Sequence, residues 1–273
     1  MFLSIPGKGY GGIIKTKIIC RNHIEQSGDI IIESEIINSG TATAYNVSST
    51  IFIGDWAEQF DNLGDNRPAG RIRFKSRYIQ PDLLPGKYVA VLRVNFEERS
   101  GKPHKTYHFF EISYGPDHVR DYMPLLSVFL RDPLFNPKAF LKTNVKMGLV
   151  MKNGYQSAIK PVVTFFSPDG CTAMEHNRFY TLSPDEEKTD EILLAIDKSI
   201  RPGSPYDVVV KYNHDGIHYA RHFEGKIDVV EQPIYFRWYL VFGIISLLIF
   251  FALIYFLNRE GKNEHPTSNH AKA

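Results

Sequence analysis

The chain has 273 residues, 23% of them charged, and a formal net charge of +2, so no global field of the kind that gathers nucleic acid is present. Its length allows two domains, each burying its own core. Two lone cysteines, Cys20 and Cys171, exclude a disulfide scaffold and, with no CxxC or matching His spacing, a zinc site; both are expected as small buried hydrophobes.

Residues 1–13 read as a flexible segment. "PGKGYGG" (6–12) has glycines but no preceding strand and no Gly-Lys-Ser/Thr ending, so it makes no phosphate loop. "MFLSIPGKGYGGIIKTKIIC" also lacks the apolar run of a signal peptide, which leaves two expectations: a true start upstream of Met1, or a tail-anchored chain with its domains in the cytosol. The first strong β signal is "DIIIESEII", which puts Ile30, Ile32 and Ile36 on one strand face and Glu33 and Glu35 on the other. Asn38, Ser39 and Gly40 supply turn chemistry, and "YNVSSTIFI" follows with Val47, Ile51 and Ile53 inward and Asn46, Ser48 and Thr50 outward. Asn46-Val-Ser is a glycosylation sequon inside that strand.

"GDWAEQFDNLGDNRPAG" reads as a loop. Its Asp55, Glu58, Asp61 and Asp65 lack the spacing of an EF-hand, and Trp56 and Phe60 are expected to cap the open end of a sandwich. "GRIRFKSRYI" (70–79) is the sharpest functional candidate. Arg71, Arg73, Lys75 and Arg77 recur at period two, so in a strand they share one face at about 7 Å spacing, with Ile72, Phe74 and Tyr78 turned inward. Such a stripe suits an anionic polymer, a lipid headgroup or an acidic partner; the plainer reading is a strand kept basic against edge-to-edge aggregation. "LLPGKYVAVLRVNF" alternates Tyr88, Ala90, Leu92 and Val94, and "ERSGK" turns it back into "TYHFFEISY".

A repeat then begins after the linker "YGPDHVRDYMP". Shifted by 114, Gly40 aligns with Gly154, Ala44 with Ala158, Thr50 with Thr164 and Ile51 with Phe165, although Val47 meets Pro161. "RPGSPYDVVVKYN" alternates Tyr206, Val208, Val210 and Tyr212, and Asp215-Gly216 is a hairpin signal. The acidic run Asp185, Glu186, Glu187, Asp190 and Glu191 is expected as a solvated loop, or as a contact for the basic stripe between domains or neighbouring molecules. His214, His218 and His222 straddle the hairpin, the last two about 13 Å apart along one strand, too far for one metal. Near the C-terminus "WYLVFGIISLLIFFALIYFL" (238–257) has no charge, which predicts a transmembrane helix over 234–257 with Trp238, Tyr239 and Tyr255 as interfacial anchors. Arg259, Lys262 and Lys272 favour a cytoplasmic tail and domains outside the membrane.

The expected fold class is all-β, two tandem immunoglobulin-like sandwiches plus one transmembrane helix: 14–114, a linker at 115–124, 125–231, the helix, and a polar tail at 258–273. The "N-S-G-T-A" strand end, the "Y-N-V" strand and the "L-x-P-G-x-Y-x-V-x-L-x-V" strand resemble the cell-adhesion-related (CARDB-like) immunoglobulin-like domains of bacteria and archaea. The first repeat fits well and the second more weakly. The resemblance implies a seven-stranded spacer or binding module, commonly outside the membrane, with no catalytic residue to carry over. No G-x-S-x-G, H-E-x-x-H or paired-carboxylate motif occurs in the chain.

The expected function is therefore non-catalytic: a single-pass, membrane-anchored binding or scaffold protein of the cell envelope, an accessory subunit of a membrane complex, with Arg71, Arg73, Lys75 and Arg77 as contact surface. It takes no cofactor, metal or nucleic acid, and its partners are the bilayer and a protein or anionic envelope polymer. The alternatives are a cytosol-facing adaptor, a structural stalk, and a carbohydrate-presenting accessory protein with Trp56, Phe60 and Tyr180 exposed.

Overall fold

The structure, a computed structural model, describes residues 12–116, 124–136, 144–173, 177–197, 200–230 and 235–260. Most of the expected linker and tail, and all but the last two residues of the N-terminal segment, lie outside that set. In the first repeat the strands are β1 (Thr16–Ile24), β2 (Ile30–Asn38), β3 (Ala44–Ile53), β4 (Trp56–Asn66), β5 (Arg71–Tyr78), β6 (Gly86–Glu97) and β7 (Pro103–Tyr114). A three-stranded sheet, β1-β2-β5, faces β4, β3, β6 and β7. Ile30, Ile32 and Ile36 meet Val47, Ile51, Ile53, Tyr88, Ala90, Leu92 and Val94 in one buried cluster. The period-two pattern built this core, because only a pleated strand sends every second residue inward. This all-β arrangement is compatible with an immunoglobulin-like sandwich.

The second repeat contains β8 (Leu126–Arg131), β9 (Leu134–Phe135), β10 (Asn144–Asn153), β11 (Val162–Phe166), β12 (Cys171–Ala173), β13 (Asn177–Phe179), β14 (Glu187–Ile196), β15 (Ser204–His214) and β16 (Ile217–Val229). The sheet β12-β14-β10-β8 faces β13-β11-β15-β16 around a second core that includes Tyr206, Val208, Val210 and Tyr212. The β15–β16 turn is the Asp-Gly hairpin the sequence signals: His214 pairs with Ile217, and Asp215 and Gly216 both take positive φ.

Each repeat is closed by a buried asparagine. Asn38 donates to the carbonyls of Ala42 and Asn66 while its Oδ1 accepts from Gly40 N. Asn153 donates to the carbonyls of Ser157, Leu182 and Ser183 while its Oδ1 accepts from Tyr155 N. Gly40 and Gly154 follow because a Cβ there would run into the backbone of Ile13 and of Leu125.

The two sandwiches belong to one compact unit. The junction is a parallel bridge between Gly86 and His218, with His218 N donating to Pro85 O at 2.8 Å. Gly86 has φ +150°, and a Cβ there would fall on the His218 carbonyl, so the site requires glycine. A third small cluster, Val89, Val91 and Val209 with Phe52, Tyr107, Phe109 and Phe166, draws on strands of both repeats. Thr50, expected to face outward into solvent, is 5% exposed.

Two expectations are corrected. The segment 55–65 is mostly strand rather than loop: β4 pairs with β3 through register shifts, absorbed near Asn46 at φ +51°. The C-terminal helix α1 (Tyr235–Glu260) belongs to a second unit. Among the described residues no helix is long and apolar enough to cross a membrane. The transmembrane helix, the membrane keywords and the single-pass localisation with extracytoplasmic domains are thus unsupported. Tyr239 and Tyr255 are exposed on α1, and the Trp238 side chain lies outside the described set.

Candidate functional site

The strand register assembles a charged face on the outside of β1-β2-β5. Four rows cross it: Lys17–Ile37–Arg71, Ile19–Glu35–Arg73, Arg21–Glu33–Lys75 and His23–Ile31–Arg77. Each of the four basic residues read from the sequence lies on β5 and on this one face, with its side chain 52–71% exposed. Ile72, Phe74 and Tyr78 pack against the core, as alternation requires.

The stripe is not bare. Arg73 Nη2 lies 2.8 Å from Glu35 Oε1, Arg71 Nη1 3.4 Å from the same oxygen, and Lys75 Nζ 3.6 Å from Glu33 Oε1. Arg73, with help from Arg71, holds the Glu35 carboxyl below the usual carboxylate range. Arg77 donates through Nε and Nη2 to Asp29 Oδ2, at 3.0 and 2.7 Å, and reaches Glu25 at 2.9 Å. Gln80 N donates to the other Asp29 oxygen at 2.8 Å, so backbone and guanidinium together lower the pKa of this buried carboxyl. Arg77 is therefore committed to structure. The face still keeps an excess of positive charge: Lys17, Arg21, Arg71, Arg73 and Lys75 share two carboxylates, Glu33 and Glu35. A shallow groove of about 590 Å³ runs over it, lined in part by Ile19, Arg21, Glu33, Glu35, Arg73 and Lys75.

The sequence missed β1 as a second basic column and Asp29 with Glu25 as partners of Arg77. "TKIICR" carried a usable signal, since Lys17 and Arg21 are four apart in a strand and share a face. Which strand lies beside it is set by pairing across the sheet, and that is not written locally.

β5 is an edge of its sheet, paired with β2 alone; among the described residues no backbone–backbone hydrogen bond reaches its far side, although β4 runs close by and Ser76 Oγ donates to Glu58 Oε2. At the opposite edge β1 runs beside β7, and there the Asn22 side chain takes up a backbone group: its Nδ2 donates to Glu111 O at 3.1 Å. Behind β5, Trp56 stacks on Tyr78 at 4.6 Å between ring centroids and Phe60 tilts against Phe74 at 4.7 Å. These rings close the sandwich.

Other candidates are less open. Cavities of about 750 and 440 Å³ lie between strands of the two sandwiches, where Lys211 meets Asp55 at 3.3 Å and His218 stacks on Tyr88 at 4.0 Å. His222 stacks on Phe109 and bonds Asp207 at 2.7 Å, and His104 bridges Glu98 and Asp169. Among the described residues no group of His, Cys, Asp and Glu is placed to hold a metal ion. Tyr180 is buried and donates to Asp190, and in the acidic run Asp190 pairs with Arg178 at 2.6 Å and Glu191 with Lys146 at 2.5 Å. A Ser–His–Asp line exists at Ser157, His214 and Asp215, but Ser157 Oγ is 3.5 Å from His214 Nδ1 and the Asp215 side chain is 82% exposed. Burial pushes the thiols of Cys20 and Cys171 up to about 11, leaving both protonated near neutrality.

No family model and no curated protein matches the chain. Among solved structures it is similar to red sea bream transglutaminase, at 11% identity and a TM-score of 0.27, covering 80% of this chain and 31% of that one. It is also similar to a protein of unknown function from Porphyromonas gingivalis W83, at 10% identity and a TM-score of 0.32, over 78% of this chain and 99% of that one. E. coli alpha-2-macroglobulin follows at 7% identity and a TM-score of 0.29, over 80% and 17%. The chain thus spans under a third of the transglutaminase and of the macroglobulin. Likeness at this level bears on neither activity nor partners.

Proposed function

We propose that this protein is a non-catalytic binding or scaffold module whose contact surface is the basic outer face of the β1-β2-β5 sheet, and that its partner is acidic. The observation that carries the reading is the charge excess on that face: five cations around two carboxylates, held at strand spacing by a rigid sheet. A rigid array loses little side-chain entropy when a complementary array docks, so modest pairwise energies add. The bridge at Gly86 and His218, which holds the two sandwiches together, supports the scaffold side of the proposal.

Retention of poly-glutamate by the immobilised chain tests it. The unmodified protein retains poly-glutamate at low salt and releases it as salt rises, while poly-lysine passes through. Arg71→Glu with Arg73→Glu lowers retention roughly tenfold. Equal retention by that variant at low salt rejects the surface.

A further inference from the structure

Across the outer face of β1-β2-β5 the sign of charge alternates by column. β1 contributes Lys17 and Arg21, β2 contributes Glu33 and Glu35, and β5 contributes Arg71, Arg73 and Lys75. A polyanion lying centrally over the face would meet the two glutamates. An acidic group placed beyond β5 meets only cations and continues the alternation. That same side is a backbone edge: among the described residues no backbone–backbone hydrogen bond reaches β5 from beyond it, and its neighbour β4 meets it through side chains, whereas on the β1 side the Asn22 side chain already reaches a β7 carbonyl.

We infer that the β5 edge accepts an extended segment of a partner polypeptide as an additional strand, with Asp or Glu at alternate positions opposite Arg71, Arg73 and Lys75. The inference rests on the acidic-partner reading above and specifies its form. An added strand has the same two-residue period as its host, so three carboxylates in an acid-x-acid-x-acid segment fall in register with three cations at about 5 Å across the pair. Main-chain hydrogen bonds to the edge give affinity, and the alternate side chains give selectivity. The intervening residues turn toward Phe74, Ser76 and Tyr78 and toward Trp56, Glu58 and Phe60 of β4, two half-buried ring pairs on either side of the Ser76–Glu58 hydrogen bond, which favours Val or Ile beside the rings and Thr beside the polar pair. Arg77, already held by Asp29 and Glu25, marks the end of the selective stretch.

The competing view is that the charges merely protect the edge from self-pairing, in which case no strand binds. The test uses the full chain and three synthetic nine-residue peptides. One alternates Glu with Val, one alternates Lys with Val, and one is the Glu peptide N-methylated at alternate amides. Binding is read by fluorescence anisotropy, and edge pairing by amide exchange across 71–78.

The Glu peptide is expected to bind, the Lys peptide to fail, the methylated peptide to lose at least about tenfold in affinity, and the β5 amides to gain protection. Arg73→Gln with Lys75→Gln, which adds no like-charge repulsion, weakens the Glu peptide roughly fivefold. Equal binding of the methylated peptide without protection of β5 overturns strand addition and leaves the basic-face reading standing. Failure of every acidic peptide at low salt overturns both.

Discussion

Asn38 and Asn153 show how much a single polar side chain does in these sandwiches. Both are at most 1% exposed, yet each makes two or three hydrogen bonds to backbone carbonyls and accepts one from a backbone N–H. Asn38→Ala and Asn153→Ala are each expected to lower stability by about 1–3 kcal/mol, the cost of losing several buried hydrogen bonds at once. Urea unfolding checks this: the midpoint falls while the slope stays the same. A change under about 0.5 kcal/mol would mean that water replaces the amide. The turn at 38–40 was legible as a turn from its Asn, Ser and Gly. That its asparagine would tie down the end of β4, 28 residues away, was not, because Asn66 O is brought there by the fold.

Among the elements, β16 carries the group most perturbed by its surroundings within the ordinary pH range. His218 is 8% exposed, stacked on Tyr88, and bonded at Nδ1 to Asn213 Oδ1; burial, assisted by the Lys211 ammonium and opposed by Asp55, pushes it down to about 4. An unfolded histidine titrates near 6.5, so between about 6.5 and 4 the unfolded chain binds the extra proton. Stability from this group is fully present above about 6.5 and lost as pH falls toward 4, roughly 3 kcal/mol at the limit. Melting curves at pH 7 and pH 4.5 should show the drop, and His218→Phe, which keeps the ring stack, should flatten it. An unchanged slope in that variant would assign the drop to other groups. Both strands of this hairpin were legible from alternation and the Asp-Gly pair. The stacking of His218 on Tyr88 joins β16 to β6, more than a hundred residues earlier, and no local pattern announces that contact.

For the molecule as a whole, the junction rests on a glycine. Gly86→Ala places a methyl group on the His218 carbonyl at a φ that L-residues rarely adopt. The expected result is a loss of about 2 kcal/mol or more and a single unfolding transition that splits as the sandwiches uncouple. Gly101→Ala is the control: its φ is also positive, at +79°, but a Cβ there meets nothing within 4 Å, so only the conformational cost remains, about 1 kcal/mol. If both variants unfold alike in one transition, the Gly86 bridge does not couple the sandwiches.

The sequence by itself determined β2, β3, β5, β6, β15 and β16, most of their inward faces, the Asp-Gly and "ERSGK" turns, and the shared face of Arg71, Arg73, Lys75 and Arg77. All of these follow from short-range periodicity and backbone sterics, which a few neighbouring residues specify. Only the tertiary structure decided that Glu33 and Glu35 divide the basic columns, that β5 is a backbone edge, and that Gly86 meets His218. It also turned an expected loop into β4, and it showed that among the described residues no helix is long and apolar enough to cross a membrane. The division is physical: periodicity is local to a strand, whereas register, edges and junctions are set by which distant strands pair.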